Sequence, residues 1–130
     1  MRFEPKSFIA GQWIEGSDRK TFSVTNPATQ EEIAEVADLN ADDCRAAIDA
    51  AETAFPVWAE HTAKERSMIL KHWNSLIVEN AEALAQLITK EMGKPIAESR
   101  SEVVYGASFI DWFAEEGRRI YGDIIPPHMP

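Results

Sequence analysis

"VVYGASFIDWFAEEGRRIYG", residues 103–122, decides the fold. On a wheel of about 100° per residue, Val103, Gly106, Ile110, Phe113, Gly117, Ile120 and Tyr121 share one side, and Tyr105, Phe109 and Trp112 form a second stripe beside it. Together they cover an arc of about 200°, wider than the apolar stripe of an ordinary surface helix. The spacing predicts a helix with polypeptide on two sides. Asp111, Glu115, Arg118 and Arg119 occupy much of the remainder and read as a solvated face. Glu115 with Arg118 or Arg119 makes an i,i+3 or i,i+4 pair worth about 0.2–0.5 kcal/mol. Glu115 and Glu116 point about 100° apart, so they do not share one proton.

Upstream, this fourth helix begins near Pro95 and is expected to run to Tyr121, with Gly122 ending it and "DIIPPHMP" leaving as an extended tail. Gly93 supplies the left-handed residue that stops the third helix, and Pro95 opens the fourth. The third helix starts at Asn80, expected as its cap, with Leu84, Leu87 and Ile88 inward. The second opens on Thr62 and Glu65, a capping box, and carries the stripe Ile69, Leu70, Trp73, Leu76, Ile77. The first begins at Asn40 with Asp42 and Asp43 in its first turn, where the helix dipole favours acids. Its stripe is Cys44, Ala47, Ile48, Ala51, Phe55 and Trp58, and Pro56 is expected to end or bend it. Before residue 40 the pattern is strand-like. Ala10-Gly11 between "FI" and "QWI" reads as a hairpin. Asn26-Pro27-Ala28-Thr29 suits a type I turn between two β-prone runs. The fold class is α+β: N-terminal β-hairpins over 1–39, four helices over 40–122, and a tail over 123–130.

A chain of 130 residues makes one domain. Apolar residues at 45% and charged residues at 27% indicate a folded protein. A net charge of −9 argues against nucleic acid, whose phosphates need a Lys and Arg excess, and against an anionic membrane surface. No apolar run has the length of a membrane span, and "MRFEPKSFIAG" lacks the apolar core of a secretory signal. One cysteine makes no internal disulfide and fits a reducing, cytoplasmic compartment.

Spacing alone yields no catalytic constellation. Cys44 lies near a helix N-terminus, where thiols are activated, but on an apolar stripe, so it is expected to be buried and inert. His61, His72 and His128 lack zinc-ligand spacing. Glu98 and Glu102 stand i,i+4 with no third ligand in sequence, and read as solvated. "EMGKP" ends a helix instead of opening one, so it is no phosphate loop.

Five stretches in order, "FIAGQWIEG", "VTNPATQEEIAEV", "AKERSMIL", "ITKEMGKPIAES" and "SFIDWFAEEGRRIYGDIIP", resemble the N-terminal segment of the NAD(P)-dependent aldehyde dehydrogenases. "WFAEEGRRIYGD" narrows the resemblance to succinate-semialdehyde dehydrogenases. The resemblance implies an incomplete N-terminal part of an α/β fold, whose helical layer packs on a dinucleotide-binding domain beyond residue 130. It implies a parent enzyme, an oligomer, that oxidises succinate semialdehyde or a related aldehyde to the acid with NAD or NADP. The catalytic cysteine and general-base glutamate belong to the later part, so this chain alone should be inactive, bind no dinucleotide and carry no catalytic residue. Carried over by position, Tyr105 falls at the mouth of the substrate tunnel, and the Thr25 carbonyl and Glu91 belong to a partial monovalent-cation site. The partners expected are the remainder of the parent enzyme and other copies of this chain, through exposed apolar helix faces. The alternative is an independent helical interaction module derived from such an enzyme.

Overall fold

Two antiparallel ribbons come first in the computed structural model, which describes residues 4–128. The first three residues of the strand region and the last two of the tail lie outside the described residues. Strands β1 (Ser7–Ile9) and β2 (Gln12–Ile14) pair with Ile9 opposite Gln12. Ala10 and Gly11, at φ 50° and 80°, form the tight turn whose twist matches the strands. Strands β3 (Thr21–Thr25) and β4 (Glu32–Ala37) pair with Phe22 opposite Val36 and Val24 opposite Ala34, and the register shifts between Val24 and Thr25. The Asn26 turn is one residue wider than the sequence predicts. The Gln30 N–H, not that of Thr29, donates to the Asn26 carbonyl at 2.8 Å, and Gln30 takes a φ of 64°. Asn26 Oδ1 accepts from the Ala28 N–H at 2.9 Å, an Asx-turn that stabilises this wider loop.

Four helices follow: α1 (Ala41–Glu60), α2 (Ala63–Glu79), α3 (Ala81–Met92) and α4 (Ile96–Glu116). The caps of α1 and α2 form as their sequences require. Asn40 Oδ1 accepts from the N–H groups of Asp42 and Asp43 at 2.8 and 3.1 Å, and Asp43 Oδ2 accepts in return from the Asn40 N–H. The Asp43 carboxylate, largely buried, also accepts from the Ser17 N–H at 3.0 Å and so ties α1 to the loop after β2. In α2 the Thr62 hydroxyl and Glu65 carboxylate cap reciprocally, and those bonds hold the Glu65 carboxyl below its usual range. Asn80 separates α2 from α3 but does not cap α3 with its side chain, because its amide instead donates to the Leu76 carbonyl at 2.8 Å.

Pro56 does not end α1, which continues for another turn to Glu60: one missing backbone donor near a helix end is tolerated. Helix α4 stops at Glu116, short of the expected Tyr121, with Gly117 as its C-cap. Glycine is a weak helix former, and the Arg118 and Arg119 N–H groups turn to the nearer Glu115 and Glu116 carbonyls at 3.2 and 2.8 Å. Arg118 and Arg119 therefore lie beyond the helix. Glu115 pairs across to Lys71 on α2, and Arg119 pairs with Glu116 at 2.5 Å.

The core lies where α4 packs on α2 and α3, and it is built of small residues. Ser67, Ala85, Ser99, Val103, Ala107 and Ala114 are buried, and Thr89 and Ser99 join hydroxyl to hydroxyl at 2.8 Å. Ser99, Val103, Ala107, Ile110 and Ala114 form the inward stripe of α4; Gly106 and Phe113, assigned inward from the wheel, are exposed. On α2 the inward residues are Ser67, Leu70, Asn74 and Ile77, while Ile69, Trp73 and Leu76 stay open. Small side chains let helices approach closely, so packing selects them over bulkier neighbours. Helix α1 is anchored by its N-terminus, and Ile48, Phe55 and Cys44 on its stripe are exposed. The burial expected for Cys44 fails because no described helix covers that stripe.

Gly93, at φ 76°, ends α3 and lies so close to the Asn26-Pro27 loop that a Cβ there would come within 2.9 Å of Pro27 Cγ. Gly93→Ala is expected to lower stability by at least about 1–2 kcal/mol from the left-handed conformation alone, with the Pro27 clash added. Urea midpoints of the 130-residue chain measure it.

Glu82 on α3 accepts from Arg100 on α4 at 2.8 and 2.9 Å, a bidentate pair. Bonds from Arg100, and then Gln86, lower the Glu82 carboxyl from 4.5 to about 2. A lowered carboxylate stabilises the fold above its unfolded value and loses that contribution as pH falls. Between pH 4.5 and about 2, the native chain should lose stability more steeply than Glu82→Gln, which has no such proton to take up. Chemical denaturation across that window, with and without the substitution, reads the difference.

Candidate functional site

Helix α4 holds the central feature. Tyr105, Phe109 and Trp112 stand about 120–180° around the helix from the centre of its buried stripe. They are 66%, 46% and 64% exposed, and no part of the described chain encloses them. Tyr105 meets Phe109 edge to face, with ring centroids 4.8 Å apart. Beside them Arg100, Ser101, Val104, Tyr105 and Ser108 line an open groove. Residues 101, 104, 105 and 108 follow helical spacing, so the groove was readable once Tyr105 was singled out, though Ser101, Val104 and Ser108 carry no chemistry that marks them by type. The Ser108 hydroxyl bonds back to the Tyr105 carbonyl at 2.7 Å, and Arg100 is committed to Glu82.

Thr25 ends β3 and Glu91 lies in the last turn of α3. The seating of Pro27 against Gly93 brings these two element ends together, and the register shift at Val24/Thr25 alters strand pairing at that point. Glu91 is exposed. The other sequence candidates do not converge. His61 lies against Trp58, with Nδ1 3.9 Å from Glu65, and joins His72, Met68 and Ile69 in a second open groove. Glu102 pairs with Lys94. No cluster of three or more His, Cys, Asp or Glu side chains able to hold a metal occurs among the described residues.

Each helix begins with an acid in its first turn: Asp42 and Asp43, Glu65, Glu82, and Glu98. A pyrophosphate needs open N–H groups at a helix N-terminus. Here the side-chain caps of α1 and α2 already take up donors at those two termini, while α3 and α4 carry no side-chain cap. No described helix is long and apolar enough to cross a membrane.

The surface is larger than the chain's mass requires. It amounts to 10151 Å², whereas a compact monomer of 14.6 kDa exposes about 6,900 Å². The surplus of about 3,000 Å² exceeds the roughly 1,000–2,500 Å² that one partner contributes to a permanent interface.

Known proteins resemble this chain along nearly its whole length. The chain is 49% identical to the succinate-semialdehyde dehydrogenase [NADP(+)] of Escherichia coli (strain K12), over 98% of its own length and 26% of the relative's. It is likewise 49% identical to the glutarate-semialdehyde dehydrogenase of Pseudomonas putida, over 98% of this chain and 27% of that one. A crystal structure of an E. coli NADP-dependent enzyme superposes with a TM-score of 0.92 at 49% identity, covering 98% of this chain and 26% of that one. The chain thus spans about a quarter of the length of the relatives it matches, and its ribbons and four helices match an N-terminal piece of their fold. The model of the aldehyde dehydrogenase family matches residues 13–129, and the chain belongs to that family.

Proposed function

We propose that the whole protein is a cytoplasmic enzyme that oxidises a short aldehyde bearing a terminal carboxylate, succinate semialdehyde or its one-carbon-longer homologue, to the diacid with NAD or NADP. The observation that carries this reading is the near-complete match of the chain to succinate- and glutarate-semialdehyde dehydrogenases at 49% identity. Within that protein the chain supplies a helical layer. The buried small-residue face of α4 holds α2 and α3, and its aromatic face lies against the rest of the polypeptide. Tyr105 lines the entrance for the aldehyde, and its ring pair with Phe109 fixes its orientation. The Thr25 carbonyl and the Glu91 carboxylate contribute two oxygens to a monovalent-cation site, the ligand type that a hard ion takes, with further ligands supplied from outside this chain. The dinucleotide is held elsewhere in the whole protein, and the 130-residue chain by itself oxidises no aldehyde.

The test is to express the complete reading frame and assay succinate and glutarate semialdehydes with each nucleotide, following the absorbance of the reduced nicotinamide. Turnover of either is the expected result. A folded full-length product that turns over neither, or a natural stop codon directly after Pro130, overturns the reading.

A further inference from the structure

We infer that Ala107 is a positioning residue: it sets how far α4 stands off the helices beneath it and thereby where Tyr105 stands. This rests on the reading of Tyr105 as a lining residue of the aldehyde entrance. Ala107 is 3% exposed and Tyr105 is two residues earlier, about 160° away on the opposite side of the same helix. The seam is built of small, buried residues. Ser67, Ala85 and Ser99 are buried to 2% or less, and Val103 closes the next turn. Interaxial distance between packed helices follows the side chains at the contact, and a well-packed core answers added methyl groups with backbone shifts. Bulk placed at Ala107 therefore displaces α4 outward, and Tyr105 moves with the backbone that carries it. The ion pairs Lys71–Glu115 and Glu82–Arg100 brace α4 against α2 and α3 on its flanks.

The experiment uses the full-length protein with Tyr105→Ala, Ala107→Ser and Ala107→Val, and with Asp43→Asn as a variant weakened far from α4. Steady-state kinetics give KM and kcat for the semialdehyde and KM for the nucleotide. Ala107→Val should raise the aldehyde KM about five- to tenfold, inside the hundredfold that a misplacement of about 1 Å can cost. Its kcat and nucleotide KM should stay within about twofold, the signature of lost uniform binding. Ala107→Ser should fall between native and Val, and it carries the test if Val does not fold. Asp43→Asn should lower stability and leave the aldehyde KM unchanged. If Tyr105→Ala raises the aldehyde KM and neither Ala107 variant does, the positioning role is overturned while Tyr105 keeps its place at the entrance. If no Tyr105 or Ala107 variant moves it, both fail. A fall in kcat together with a rise in both KM values in the Ala107 series also overturns the proposal, since general loosening would explain it.

Discussion

Trp112→Ala should leave the stability of the isolated 130-residue chain unchanged within about 0.5 kcal/mol, as for other surface substitutions, and should cost the full-length protein about 3–5 kcal/mol, as for a buried tryptophan. The contrast follows from where the side chain stands. In this chain the Trp112 ring is open to water and lines a groove with Asp111, Glu115, Glu116 and Arg119. Truncation there removes little packing. On the proposed reading the same ring is buried in the whole protein against polypeptide outside this chain, and truncation there would leave a cavity the size of an indole. Urea denaturation of both proteins, native and substituted, measures the two values. Equal costs in both settings would show that residues within this chain decide the environment of Trp112.

The second large effect concerns the chain alone. Patches above a few hundred Å² are rare on monomeric soluble proteins, and here Phe55, Trp73, Phe109, Trp112, Ile124 and Ile125 all stand exposed. The 130-residue chain should bind an apolar dye strongly and self-associate at micromolar concentration. The full-length protein should bind little dye. Light scattering after size exclusion, paired with dye fluorescence, reports both. A dilute, dye-silent monomer would contradict the account. The −9 net charge opposes association at low salt, so added salt should promote it, by screening.

Both ribbons, four helices, the Asn40 N-cap, the Thr62–Glu65 capping box and the left-handed glycine at the end of α3 were legible in the sequence, because each depends on local chemistry. Asn40 and Thr62 cap the backbone groups of their own next turn, and Gly93 is needed where φ is positive. What the sequence misassigned depends on which neighbour each face meets. The wheel grouped Gly106 and Phe113 with Val103 and passed over Ala107 and Ala114, whereas close helix contact within this chain selects the small residues. Cys44 was assigned to a core because its stripe is apolar, yet an apolar stripe states only that something covers it, not that this chain does. The same distinction governs the site. Tyr105, Thr25 and Glu91 were marked by resemblance and by nothing in their local pattern, since an entrance or an ion site exists only once distant segments meet. The structure brings the ends of β3 and α3 together through Pro27 and Gly93 and leaves Tyr105 on an open face.

The central claim is that the aromatic face of α4 is made to be covered by polypeptide beyond this chain. Hydroxyl-radical footprinting of Trp112, read by mass spectrometry on the dilute 130-residue chain and on the full-length protein, tests it most directly. Rapid oxidation in the short chain with strong protection in the whole protein is the predicted result. Equal oxidation in the two would contradict the claim.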